Sequence, residues 1–225
     1  MKKLFVLCSF VMICFDIFAQ DKKDSIKVSG SITFQTQTNA LVTGGRFSDK
    51  PALKGLLVFS KRNFNFSITR NSDLVDPKNN ANFTSSALTF SKKLNQKFKV
   101  SASTEVFVFD ANKDMNLLMP SGTVTYIFGK NFSTGFTAFY LKFLEGDPDA
   151  YSLRFDVGKK VEKFGLEARV YGWFVDWNGE NYSAVAEISK VFEKRWKLSF
   201  FQHWNKFNNK ASYAKFGVVR LAYSF

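Results

Sequence analysis

The sequence Val219-Arg220-Leu221-Ala222-Tyr223-Ser224-Phe225 closes the chain with strict alternation of apolar residues and polar or small ones. Successive side chains of a β-strand point to opposite faces, so this stretch predicts a strand with one apolar face that ends in Phe225. The opposite face carries Arg220, Ala222 and Ser224. The end of the chain therefore favours an all-β fold, and the same pattern extends backwards from it.

Five upstream segments end in a related triplet, in which a bulky apolar residue and a small residue precede lysine. The triplets are Phe59-Ser60-Lys61, Phe90-Ser91-Lys92, Phe128-Gly129-Lys130, Val157-Gly158-Lys159 and Ile188-Ser189-Lys190, and Tyr223-Ser224-Phe225 is a sixth copy that ends in an aromatic residue. Another alternating segment follows each lysine triplet after a short gap. This repetition predicts a β-meander whose turns all lie on one side, which we call the turn side.

The alternating segments predict twelve strands, with ten as the fallback count. Their approximate bounds are 26–39, 52–60, 64–70, 83–91, 97–109, 121–129, 132–143, 151–158, 164–175, 182–189, 196–206 and 212–225. The pair around 52–70 is the least regular, because Leu56-Leu57-Val58-Phe59 is a continuous apolar run. The opposite, loop side carries the chain breakers, namely Gly44-Gly45, Asp76-Pro77, Met119-Pro120, Asp147-Pro148 and Asn178-Gly179.

The N-terminal segment predicts export. Residues 1–19 combine Met1-Lys2-Lys3, an apolar run and Ala19, which is the pattern of a cleaved signal peptide, and residues 20–225 then form a single β-domain. Both cysteines, Cys8 and Cys14, leave with the signal, so disulfides, zinc–thiolate sites and cysteine nucleophiles are excluded from the mature chain. No later run approaches the ~20 apolar residues of a membrane-spanning helix.

An export signal followed by a final strand with a terminal aromatic residue resembles bacterial outer-membrane β-barrel proteins. Leu221, Tyr223 and Phe225 match their C-terminal assembly signal, and the rest of the chain is similar only in architecture. The resemblance implies a closed antiparallel up-and-down transmembrane β-barrel in the outer membrane of a Gram-negative envelope. Outer-membrane lipids and the barrel-assembly machinery are the partners it implies, and the turn side would face the periplasm.

The alternation alone leaves open which face of the sheet is inside. In a soluble barrel the apolar face points inwards, whereas in a membrane barrel it meets lipid. Aromatic residues at both ends of the strands favour the membrane barrel, for example Phe128 and Trp196 on the turn side and Tyr151 and Trp204 on the loop side.

The formal net charge of +13 is concentrated on the turn side. The residues that we call the basic rim are Lys61, Arg62, Lys92, Lys93, Lys97, Lys99, Lys130, Lys159, Lys160, Lys163, Lys190, Lys194, Arg195 and Lys197, with Glu162 and Glu193 as the acids among them. Contact with anionic lipid headgroups explains such a rim, and docking of an acidic periplasmic partner is the alternative. No nucleic-acid recognition module accompanies these lysines, so we exclude a nucleic-acid partner.

Six charged residues are predicted to point into the barrel lumen and form its constriction. They are Arg154, Asp156, Glu167, Arg169, Glu187 and Arg220, with Glu105 on a further strand. One interpretation is a network of salt bridges that braces a filled interior. The other is a charged constriction that selects small polar or charged solutes. The width of a twelve-stranded barrel does not decide between them.

Aromatic residues near the loop side also face inwards in this pattern. They are Phe107, Phe109, Tyr171, Trp173 and Phe201, together with the single histidine, His203. They would stack on the rings of an entering solute or fill space. Ser199 and Asn205 share one strand face with His203 and do not converge on it, so we predict no catalytic residues, and no metal or cofactor site is apparent.

We therefore predict a narrow, porin-like passive channel for small hydrophilic solutes. Its architecture is similar to small monomeric diffusion channels for nucleosides or acidic oligosaccharides. A non-conducting barrel within an envelope complex is the first alternative, and a barrel lipid hydrolase or acyltransferase is the second.

Overall fold

The fold is a closed barrel of twelve antiparallel strands. The computed structural model describes residues 25–39, 46–76, 78, 81–145, 149–161, 164–176, 180–206 and 214–225. Its strands are β1 Lys27–Gln35, β2 Thr38–Asn39, β3 Arg46–Ser48, β4 Ala52–Lys61, β5 Phe64–Asp73, β6 Phe83–Lys93, β7 Phe98–Phe109, β8 Leu117–Phe128, β9 Phe132–Phe143, β10 Ala150–Val161, β11 Leu166–Asp176, β12 Glu180–Phe192, β13 Trp196–Lys206 and β14 Ala214–Ser224. A 3-10 turn spans Lys113–Met115.

Each barrel strand pairs with its neighbours in chain order, and β1 closes the barrel between β14 and β4. The short strands β2 and β3 form a separate sheet within the first loop. The predicted fold class and strand count are confirmed. The predicted signal peptide lies outside the described residues, within which no helix has the length and apolar character needed to cross a membrane.

One predicted loop is wrong, because Met119-Pro120 lies inside β8. Both residues pair with β7, opposite Glu105 and Thr104. The ladder to β9 omits both residues and resumes in the same register at Ser121, opposite Phe139. Proline has no N–H to donate, so it interrupts the ladder only locally while the flanking residues keep the strand in place. The other predicted breakers fall partly or wholly outside the described residues.

The apolar face of each strand points outwards. Val124 and Phe128 on β8 and Leu153 and Phe155 on β10 are all exposed on the outer surface. Aromatic rings contact one another at the turn-side ends of the strands, as the ring centroids of Trp196 and Tyr223 show at 4.9 Å. This arrangement agrees with the membrane-barrel prediction and not with the soluble one.

The seam between β1 and β14 is short. Ser31–Gln35 pair with Arg220–Ser224, whereas all of β1 pairs with β4. Gly30 and Phe225 extend the seam by exchanging two backbone hydrogen bonds, each 3.0 Å long. The ring of Phe225 lies over Gly30 so closely that an added Cβ would come within 2.6 Å of it. Glycine at position 30 therefore makes room for the last residue of the chain.

Candidate functional site

The barrel encloses a cavity of about 570 Å³ that is lined mainly by polar and charged side chains, and we call it the charged cavity. It extends from Ser133 and Lys197, near the turn-side ends of β9 and β13, to Gln35 and Trp173, nearer the loop side. Period-two alternation on the strands around it turns every second side chain inwards.

Arg169 holds two carboxylates in this cavity. One terminal nitrogen lies 2.7 Å from Asp156 Oδ1 and the other lies 2.9 Å from Glu167 Oε1. Gly158 is the register partner of Arg169, and a Cβ there would lie 2.9 Å from the guanidinium carbon. The missing side chain therefore gives the guanidinium space to reach Asp156.

Glu187 is held in the same way by other partners. Lys197 Nζ lies 3.1 Å from its Oε1, and the Tyr171 hydroxyl donates a 2.7 Å hydrogen bond to its Oε2. The sequence predicts that Lys197 belongs to the basic rim, and this prediction is wrong, because its side chain lines the charged cavity. It shares the inward face of β13 with Ser199 and Phe201, which also line the cavity.

Three further cations line the cavity, namely Lys54, Arg154 and Arg220. Arg154 donates to Thr137 Oγ1 at 3.3 Å and lies over the Phe139 ring at 5.5 Å, while the Arg220 guanidinium carbon lies 4.5 Å from the Phe201 ring centroid. Among the described residues, no carboxylate forms a salt bridge with Arg154 or with Lys54. The carboxylates of the cavity thus form salt bridges with Arg169 and Lys197, while Arg154 and Lys54 keep their positive charge on the cavity wall without a salt bridge to a described acid.

Five of the six predicted constriction residues line the cavity. The sixth, Glu167, does not line it but forms a salt bridge with Arg169, which does. Both predicted interpretations are therefore represented, since salt bridges brace one wall while other cations face the space. Glu105 also points inwards, where it is hydrogen-bonded to Ser85 and interacts electrostatically with Lys54. Sequence reasoning missed Lys54, because the apolar run that follows it hides the alternation of β4.

Two apolar clusters occupy the interior on the loop side. The first contains Phe83, Phe109, Leu117, Met119, Phe139, Leu141, Phe143 and Ala150, with Phe107 packed against it. The second contains Trp173, Val175, Val185, Phe201, Phe216 and Val218, with Tyr171 packed against it. All the aromatic residues predicted to face inwards belong to or contact these clusters, so their inward orientation is confirmed.

His203 lies beside the second cluster and is fully buried. Its ring stacks on Phe216 with centroids 4.3 Å apart and an interplanar angle of 8°. Ser199 and Asn205 are buried along the same strand face, as predicted. In the part of the chain that the structure describes, no group of three or more potential metal ligands occurs.

The first loop is anchored to the inner wall at the loop side. Gln35 Nε2 donates to Thr38 Oγ1 and to Asn71 Oδ1, both at 3.2 Å, and these three residues are buried. Ser48 Oγ donates to Asp73 Oδ2 at 2.7 Å. Thr38 and Ser48 are register partners, so these contacts hold one end of the small β2–β3 sheet against β1 and β5.

Known proteins share this architecture. The solved KdgM porin superposes with a TM-score of 0.65 at 12% sequence identity, covering 88% of this chain and 98% of that one. The NanC porin gives a TM-score of 0.59 at 9% identity, covering 88% and 99% of the two chains. An outer membrane channel from Pseudomonas putida F1 gives 0.55 at 12% identity, covering 88% and 94%.

The barrel has the fold of these porins. At such identities the likeness concerns the fold. No protein-family model matches the sequence, and no curated protein matches it.

Proposed function

We propose that this chain is an outer-membrane β-barrel that acts as a narrow passive channel for small hydrophilic solutes and prefers anions. The observation that carries the proposal is the charged cavity, in which the carboxylates of Asp156 and Glu167 both bind Arg169. Arg154 and Lys54 line the same space without a salt bridge among the described residues. A permeating anion therefore meets two cations, Arg154 and Lys54, that no described acid holds in a salt bridge, although Glu105 interacts electrostatically with Lys54.

Acidic oligosaccharides are the solute class that fits this wall best. A cluster of cations attracts carboxylates, and the stacked rings of Tyr171 and Trp173, with centroids 5.4 Å apart, offer an apolar surface at the edge of the cavity. The KdgM porin, which has the same fold, is known in complex with a disordered oligogalacturonate. This complex supports the assignment by analogy.

Reversal potentials of the purified chain in a planar bilayer test the proposal. Under a KCl gradient we expect a weak anion preference that fades as the salt concentration rises, because the Debye length is only ~8 Å at physiological ionic strength. Lys54→Gln and Arg154→Gln should each reduce the preference. Lys142→Gln is the matched control, since Lys142 lies on the outer surface and already pairs with Asp149 at 3.2 Å.

Solute specificity is tested with the same bilayers. Oligogalacturonate should produce current blockades, and a neutral oligosaccharide of equal length should produce fewer. Clear cation selectivity, or blockades that are equal for both sugars, would contradict the proposed preference.

The loop-side apolar clusters favour a second candidate, a non-conducting barrel that serves as a structural part of the envelope. Both clusters fill interior space on the loop side with side chains from most of the barrel strands. Absence of conductance from correctly folded protein in the bilayer would favour this candidate over the channel.

The basic rim is the part of the barrel that we expect to lie at the membrane–water interface. Lys92, Lys130, Lys159, Lys190 and Arg195 are all exposed at the turn side, whereas Lys61 is buried and departs from the predicted rim. We propose that the exposed lysines contact anionic lipid headgroups and so fix the depth of the barrel. An acidic periplasmic partner is the alternative. A pull-down from periplasmic extract distinguishes the two, because a protein captured by the wild type but not by a variant with a neutralised rim would favour the partner.

A further inference from the structure

The outer surface of the barrel carries an apolar groove of about 400 Å³. Gly172 on β11 and Ala184 on β12 are register partners and form its floor. Phe155, Phe174, Tyr182 and Trp204 form its walls. The groove therefore crosses strands β10 to β13 on the side of the sheet that faces away from the charged cavity.

The absence of a side chain at Gly172 creates this groove. A Cβ built there would meet no atom within 4 Å, so the floor is open space and not a close contact between strands. The flanking rings of Phe155 and Tyr182 are 54% and 45% exposed, so they stand out from the wall. The result is an elongated apolar hollow, whose shape suits a flexible hydrocarbon chain.

Two lysines stand at the loop-side end of the groove. Lys206 is the register partner of Tyr182, and Lys215 is the register partner of Trp204. By alternation along β13 and β14, both side chains share the outer face with Trp204. Neither lysine forms a salt bridge with any acid that the structure describes.

The combination of groove and lysines identifies the occupant by its chemistry. Inside a bilayer an acyl chain gains little from leaving other acyl chains, so an apolar groove alone selects weakly by shape. A pair of cations beside amphipathic Tyr and Trp side chains adds attraction for a phosphate at the level of the headgroups. A molecule that carries both features is an anionic lipid.

We propose that the groove binds one anionic phosphate-bearing lipid of the loop-side leaflet. An acyl chain lies over Gly172 and Ala184, and the headgroup phosphate lies near Lys206 and Lys215. This inference rests on the membrane location within the proposed function, but not on conduction.

Native mass spectrometry of the full chain in a neutral detergent tests the proposal. With phosphatidylglycerol we expect one preferred lipid per barrel, and with phosphatidylcholine of the same acyl chains we expect weaker binding. The double variant Lys206→Gln/Lys215→Gln should weaken phosphatidylglycerol binding roughly 10- to 30-fold. Gly172→Leu should remove the preferred site by filling the groove, and Ala184→Leu provides a second way to fill it.

Two matched controls separate the site from general effects. Gly55→Leu adds the same side chain at another glycine with open space, on β4 and away from the groove. Lys142→Gln removes a loop-side outer-surface charge that already pairs with Asp149. Heat-modifiable electrophoretic mobility establishes that each variant is folded. Both controls should bind phosphatidylglycerol as the wild type does.

Several outcomes overturn the proposal. Unchanged lipid binding by the folded groove-filling variants or by the double lysine variant would do so. Complete competition by inorganic phosphate alone at equal concentration would also overturn it, because the acyl chain would then contribute nothing. Conductance measured on the same samples keeps the two proposals separate, since a barrel that binds the lipid without conducting contradicts only the channel.

Discussion

At the scale of single residues, the charge of the cavity wall follows from the fact that two cations among the described residues, Arg169 and Lys197, form salt bridges with its carboxylates. Arg169 bridges Asp156 on one strand and Glu167 on its own strand, and Lys197 with Tyr171 holds Glu187. Such pairing fixes the acids while leaving Arg154 and Lys54 to act on a permeating solute. The function we propose therefore depends on which residues are paired as much as on which residues are present.

Replacement of Arg169 by glutamine should change both selectivity and stability. Asp156 and Glu167 would lose their shared cation, so we expect the anion preference to fall or reverse in bilayer recordings. Two carboxylates left in a partly buried site should lower the free energy of unfolding by about 1–3 kcal/mol. Arg154→Gln is the comparison, because it strands no carboxylate and should cost less in denaturant titrations. Equal costs for both variants would contradict this account.

A second residue-scale prediction concerns the loop side. Asp149, in the connection between β9 and β10, accepts hydrogen bonds from the Tyr140 hydroxyl and from Lys142. The Tyr140 hydrogen bond and then Lys142 lower the pKa of Asp149 below its ordinary value of 3.8. These interactions therefore stabilise the folded state at pH values above 3.8, and this stabilisation is lost as the pH falls through the lowered pKa of Asp149. Carboxyl NMR titration should show that Tyr140→Phe raises the pKa of Asp149, and an unchanged titration would refute the assignment.

At the scale of elements, alternation in the sequence was sufficient to predict the strands and to divide their side chains into two faces, because a period of two follows from strand geometry alone. The aromatic residues at the strand ends were needed to predict which face is outside. Alternation was insufficient to predict a strand or its faces wherever the sequence of that strand departs from the period of two. The run Leu56-Leu57-Val58-Phe59 concealed the inward position of Lys54, and Pro120 suggested a loop although its neighbours hold the strand. The pairing partners of Arg169 depend on distances across strands, which no local pattern contains.

Arginine substitutions on β11 should report the depth of the outer face in the membrane. Val170 is exposed on the outer surface near the middle of the strand, so Val170→Arg should cost about 2–4 kcal/mol. Ala168 faces outwards beside Lys159, close to the basic rim, so Ala168→Arg should cost only about 0–1 kcal/mol. Unfolding titrations in lipid vesicles measure both values. A harmless Val170→Arg would show that this face does not meet lipid.

The contact between Gly30 and Phe225 gives a prediction about assembly. Gly30→Val places carbon atoms where the Phe225 ring lies, so we expect less heat-modifiable barrel in the outer membrane. Deletion of Phe225 should have the same effect, because it removes both the ring and its hydrogen bonds to Gly30. Gly55→Val is the control, since open space surrounds that glycine. Normal levels of both seam variants would argue against a role for this contact.

At the scale of the whole molecule, the interior has two zones with different contents. Polar and charged side chains line the cavity, which extends towards the turn side. The two apolar clusters occupy the interior on the loop side. The two zones meet at Trp173, Val185 and Phe201, which belong to the second cluster and also line the cavity. No described residue of the first cluster lines the cavity, so that cluster is separate from the cavity lining. Mutations in the two zones should have different electrical effects.

Phe109→Ala tests this separation. Phe109 is buried in the first apolar cluster, where its ring contacts Phe83 at a centroid distance of 5.5 Å. Its removal should raise single-channel conductance with little change in reversal potential, and should cost about 3–5 kcal/mol of stability at most. Arg154→Gln should show the opposite pattern, with altered reversal potential and similar conductance. A shift in selectivity for Phe109→Ala would contradict the two-zone description.

The short seam also bears on how the barrel folds. It joins strands that stand at opposite ends of the described chain, so its contacts have the largest sequence separation in the molecule and close last on entropic grounds. Both seam ends lie at the turn side, where a short linker can connect Phe225 to the start of β1. A circular permutant with new termini in the turn after Lys93 would convert the seam into a local hairpin and move the slow closure to β6 and β7. These two strands share eleven register pairs against five at the natural seam, so the permutant should gain kinetic stability once closed.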